Sequence, residues 1–125
     1  DLNAGKAPQV VAAAYTYNKR DDKLTTNFAI DRALGVLVTQ GTAEGVAPAV
    51  SPNTGRLFTV GTLGLGPLTD VSFDIADLNN KALAAVRTGG DARTRLYEVN
   101  LSSGQARLVG TVANGAPLRG LAIEP

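Results

Sequence analysis

Oxygen-bearing side chains crowd most closely at Asp70, Asp74, Asp77 and Asn79. The run Asp74-Ile75-Ala76-Asp77-Leu78-Asn79 would gather hard donors around a turn, as calcium coordination requires. Asp74, Asp77 and Asn79 are therefore the candidate metal ligands, for calcium or another hard cation, and no other cofactor is expected. The spacing departs from the twelve-residue helix–loop–helix calcium pattern, because no Gly and no closing Glu stand at the required distances. The plainer reading is preferred: Asp77 and Asn79 make an Asx-type turn between two strands. Asp70 and Asp74 could also serve as paired acid and base. Four apart on a strand they share a face but lie about 13 Å apart, wider than either glycosidase geometry.

The residue types that are missing exclude more than those present suggest. With no His and no Cys, neither imidazole- nor thiolate-based catalysis or metal binding can be assembled within the chain. Arg87, Arg93, Arg95 and Arg107 form the main basic concentration. They read either as an anion-binding face or, more simply, as solvated strand residues opposing carboxylates such as Glu98. The glycines of Gly61-Thr62-Leu63-Gly64-Leu65-Gly66 lack a following helix, so they mark a tight passage rather than a phosphate cradle. Tyr15, Tyr17 and Tyr97 could stack on a ring but suit strand packing equally well. Asn100-Leu101-Ser102 fits the glycosylation sequon.

Twelve basic against eleven acidic residues leave a net charge of +1, which points to no nucleic-acid partner. No apolar run approaches the ~18 residues of a membrane-spanning helix, so no membrane insertion is expected. A hydrophobic fraction of 44% with 18% charged residues is that of a globular domain. The chain opens on Asp1 without an initiator Met, which predicts either a removed targeting peptide or a processed piece of a longer protein.

Short apolar or alternating runs separated by turn formers position these residues throughout. Strands are expected at 9–17, 25–30, 36–39, 56–63, 69–76, 81–88, 95–100, 105–112 and 118–124. The longest loop is expected at Gly41–Gly55. A helix over Ile75–Arg87 is the alternative to the strand at 81–88, but Asn79-Asn80 in its middle argues against it.

The runs repeat. Asn53–Leu63 reads against Ser102–Val112 at an offset of 49, and Leu68–Asp74 against Leu118–Glu124 at 50. A period near 50 residues made of short strands predicts an all-β fold of β-propeller-type blades, roughly two per chain. The single domain, 1–125, would comprise a blade at 9–63 lacking its inner strand, a complete blade at 69–112, and a closing inner strand at 118–124. Two blades cannot close a ring. The expected partner is therefore the remaining half of a parent protein or further copies of the chain.

Several stretches carry a family resemblance. They are Pro8–Thr16, Ala33–Gln40, Phe73–Ala76, Leu96–Gly104, Leu108–Thr111 and Arg119–Ala122, with Asn3-Ala4-Gly5 at the start. Together they resemble the C-terminal half of the bacterial family catalogued as domain of unknown function 4394. The resemblance implies a propeller-like, exported protein, extracellular or periplasmic, and supplies no catalytic residues. Family domains run to about twice this length.

Two functions follow as expectations. The first is a non-catalytic, exported propeller-like binding or scaffold module, using the Gly41–Gly55 loop and the turns at Asp77–Asn80 and Gly89–Thr94. The second is a propeller enzyme of lactonase, lyase or hydrolase type, with a metal or carboxylates in a central channel. Its candidate ligand-binding groups are Asp70, Asp74, Arg119 and Glu124.

Overall fold

The computed structural model describes residues 7–16, 25–43, 46–76, 79–88 and 94–111. Eight strands follow one another: β1 (Val10–Tyr15), β2 (Asn27–Asp31), β3 (Val36–Gln40), β4 (Leu57–Thr62), β5 (Leu68–Ile75), β6 (Ala82–Thr88), β7 (Arg95–Val99) and β8 (Ala106–Thr111). They pair as two four-stranded antiparallel sheets in sequence order, β1-β2-β3-β4 and β5-β6-β7-β8. Val36–Gln40 is third in the first sheet. The segment weighed as a helix at 75–87 instead ends β5 and forms most of β6. The strand expected at 118–124 lies outside the described residues.

The sequence expectation of propeller blades arranged toward a ring is corrected here. The chain builds two separate open sheets, neither closed nor curled into a circular array. The misreading has a physical cause. A fifty-residue period reports a repeated unit of four short strands, whereas ring formation depends on how units are placed around an axis. Periodicity does not encode that placement.

Part of the repeat is visible: the third and fourth strands of the two sheets correspond, while the match of 68–74 with 118–124 lies outside the described residues. In the first sheet Leu37 faces Gly61 and Val38 faces Thr59, leaving Val60 in a bulge. In the second Leu96 faces Gly110 and Tyr97 faces Leu108, leaving Val109 in the same place. Third strands correspond at an offset of 59 (Val36 with Arg95) and fourth strands at 49 (Leu57 with Ala106). The β3–β4 link, residues 41–56, is thus ten residues longer than the β7–β8 link, residues 100–105.

Period-two alternation gives each strand two faces, and one core forms where unlike faces of the two sheets meet. Ala14, Phe28, Ile30 and Leu37 come from the first sheet; Phe73, Ile75, Ala84 and Val86 come from the second. Ile30 and Leu37 are fully buried. A smaller cluster of Ala29, Val36 and Val38 lies on the opposite face of the first sheet. The inter-sheet passage is stitched to both sides: Leu63 N–H donates to the Gly35 carbonyl at 2.9 Å, and Ala106 N–H to the Leu63 carbonyl at 3.1 Å. Gly61 lies so close to the turn at 101–104 that a Cβ there would land on the Ser103 carbonyl oxygen. The reading of these glycines as a tight passage thus has a steric basis.

Among the described residues, no helix is long and apolar enough to cross a membrane.

Candidate functional site

The carboxylates singled out in the sequence do not converge. Asp70 and Asp74 both lie on β5, opposite Arg87 and Leu83 of β6. The Asp70 carboxylate accepts a charge-assisted hydrogen bond from Arg87 Nη1 at 3.2 Å on an exposed surface. Asn79 Oδ1 accepts from the Lys81 N–H at 2.9 Å, which is the Asx-type turn. Asp77, Arg119 and Glu124 lie outside the described residues. Among the described residues, no group of three or more His, Cys, Asp or Glu side chains could hold a metal ion.

Both functional expectations therefore need correction. The exported propeller-like module and the channel enzyme each presuppose a ring with loop faces or a central channel. Two open sheets provide neither.

The remaining candidates have structural employment. Arg107 Nη2 donates to Glu98 at 2.9 Å, and Lys81 Nζ stands 3.7 Å from the same carboxylate. Asn100 Oδ1 accepts from the Ser102 and Ser103 N–H groups, at 2.8 and 3.1 Å, fixing the β7–β8 turn. Tyr97 is in the core, and Tyr15 is exposed. Asp31, read in the sequence only as the start of a turn, is buried. Its carboxylate accepts the Gln9 and Leu34 N–H groups at 2.8 and 3.0 Å.

A mainly apolar concavity lies elsewhere, at the end of the first sheet where β3 and β4 are linked. Gly41 N–H donates to the Arg56 carbonyl at 2.7 Å, closing the neck of the long link. A second rung follows: Thr42 N–H donates to the Val50 carbonyl, and Val50 N–H to Thr42 Oγ1, each at 3.0 Å. Ser51 then organises a 3-10 turn at Pro52–Thr54, its hydroxyl accepting from the Asn53 N–H at 3.1 Å. The described residues of this link, together with half-buried β4, line an open cleft of about 500 Å³.

The cleft wall is mainly apolar, with Ala43, Val46, Pro48, Val50, Phe58 and Val60 contributing most of it. Thr39 and Thr42 add hydroxyls, and Arg56 is the one charged side chain among its described lining residues. The Arg56 guanidinium lies over the Phe58 ring at 5.5 Å from the centroid. That distance permits a cation–π attraction of about 0.5–1 kcal/mol at an exposed site.

A second hollow of about 440 Å³ shares Thr39, Ala43 and Val60 with the first and runs toward the second sheet. Thr16, Thr26 and Phe28 form one side, while Asn80 and Leu101 from the turns of the second sheet form the other. Thr16 and Thr26 are buried and mutually bonded, Thr26 N–H donating to Thr16 Oγ1 at 2.9 Å. The two hollows together combine an apolar floor with sparse hydroxyls and one cation at the rim, a lining typical of small-molecule sites. Sequence reading missed this site because its lining comes from five separated segments. Only the length of the 41–55 loop signalled anything.

The family model described as Domain of unknown function (DUF4394) matches residues 1–122. No curated protein matches the chain, and no solved structure does.

Proposed function

The chain belongs to the DUF4394 family, and from the geometry we propose that it holds a small, mainly apolar molecule in the cleft beneath the 42–50 loop. One observation carries this reading: an open concavity of about 500 Å³ walled by Val50, Phe58 and Val60, beside a link pinned by hydrogen bonds at both of its rungs. That volume lies within the ~300–1,000 Å³ range of ligand sites. Apolar surface left open in this way gains free energy when a ligand displaces its water, at roughly 25 cal/mol per Å² covered. Among its described lining residues the apolar side chains predominate, with Thr39 and Thr42 hydroxyls and the Arg56 cation beside them, which favours holding a ligand.

Titration with 1-octanol, followed by methyl chemical shifts, tests the reading. Shifts should concentrate on Ala43, Val50 and Val60. Ala43→Phe, which places a ring where the two hollows join, should weaken binding at least ~10-fold. Shifts scattered over the surface, or unchanged affinity in the filled variant, would overturn it.

Three further readings accompany this proposal. The chain corresponds to the C-terminal half of the family domain, as the resembling stretches suggest. Its partner is the other half or further copies of itself, supported by exposed Leu108 and Val109 on β8, an edge strand of the kind that invites pairing. Its setting is outside the cytoplasm, as the resemblance implies. Intact mass and native mass of the purified particle test the first two, and cell fractionation tests the third.

A further inference from the structure

We infer that the molecule held in the cleft carries an anionic head, received by Arg56. This rests on the cleft being a ligand site and names the ligand class: an apolar body ending in a single carboxylate.

The inference starts from the state of the arginines. Arg87 is bonded to Asp70 and Arg107 to Glu98, as expected for strand-face residues. Arg56 differs. Among the described residues no carboxylate pairs with it, and its guanidinium instead lies over Phe58, itself a wall of the cleft. A cation is thus held at the boundary between an apolar wall and solvent, with its hydrogen-bonding fork unused by an acid. No acidic side chain stands among the described lining residues of either hollow, so none of these residues competes for the guanidinium.

A planar guanidinium matches a carboxylate in two parallel hydrogen bonds. Its weak hydration and stacking on an aromatic ring let it stay beside apolar groups where a lysine ammonium would not. The net charge of +1 provides no long-range attraction for anions, so discrimination must come from this one contact. A ligand with its chain along Val50, Phe58 and Val60 and its carboxylate at Arg56 satisfies both parts of the surface. A neutral amphiphile satisfies only the first.

The test compares sodium octanoate with 1-octanol, both below their aggregation limits, against the full chain and its Arg56→Gln and Arg56→Lys variants. Octanoate should bind at least ~10-fold more tightly than octanol. R56Q should bring the two to within about twofold of each other, chiefly by weakening octanoate at least ~10-fold, and R56K should retain part of the preference. Parity in the unmodified chain, or a preference that survives R56Q, would overturn the anionic head while leaving the apolar site standing. Failure of both probes to bind would overturn the site itself. Arg56 is exposed, so R56Q is expected to fold, which an unchanged urea-unfolding midpoint confirms.

Discussion

The two sheets share one plan and differ most at one corner. Each meander ends with a third and fourth strand in the same register, bulged at the same point, and closed by the same hydrogen bond. That bond runs from Gly41 N–H to Arg56 in the first sheet and from Asn100 N–H to Gln105 in the second. Beyond it the corners diverge. Where the first sheet has Thr26, Thr39, Phe58 and a ten-residue longer link, the second has Lys81, Glu98, Arg107 and a tight turn. The first corner is an open, mainly apolar cleft of about 500 Å³; the second is a polar hollow of about 350 Å³ around the Glu98 ion pairs. The strand ladder sets where a corner lies, and side chains plus link length set what it can hold.

Substitutions at matched positions sharpen this comparison, beginning in the core. Phe28 and Leu83 occupy equivalent places on their second strands, but Phe28 is buried between the sheets and Leu83 only half-buried. Phe28→Ala should destabilise by about 3–5 kcal/mol and Leu83→Ala by about 1–2 kcal/mol, read from urea unfolding. Equal losses would show that the sheets are not packed through unlike faces.

Next come the matched glycines of the fourth strands. A Cβ on Gly61 meets the Ser103 backbone, whereas one on Gly110 meets nothing within 4 Å. Gly61→Ala should cost about 2–4 kcal/mol, since backbone must move. Gly110→Ala should change stability by less than about 1 kcal/mol, in the stabilising direction through lost chain entropy. A tolerated Gly61→Ala would break the claimed contact between β4 and the 101–104 turn.

Replacing residues 41–56 by the six-residue link Asn100–Gln105 tests the corner directly. Shortening the closed loop changes stability by only about 1 kcal/mol, so the sheets should fold while 1-octanol binding disappears. Persistent binding would place the site elsewhere. The smallest effect belongs to the second corner. Glu98→Gln removes ion pairs to an exposed Arg107 and Lys81, so its cost should stay below about 1 kcal/mol and fade with added salt.

The strands were legible because alternation and turn chemistry are local. Thr25–Ile30 shows its buried face through Phe28 and Ile30, and Asn79-Asn80 marks a turn whichever sheet follows. The matching of fourth strands was legible too, since Leu57–Thr62 and Ala106–Thr111 keep one spacing. Ring closure was read from that spacing and was wrong, because spacing describes the unit and not its placement. The cleft was illegible for a related reason. Thr16, Thr39 and Leu101 become neighbours only when one sheet lies on the other, and no short-range signal announces it. Asp31 was half legible: its type and the following Gly35 marked a turn, but its burial depends on Gln9 arriving from β1.

The rungs at Gly41–Arg56 and Thr42–Val50 also have an evolutionary reading. They let strand pairing finish before the intervening residues begin, so the ladder is insulated from whatever lies between. A change of length or composition between these rungs would leave the alignment of the strands on either side intact while reshaping the wall of the cleft.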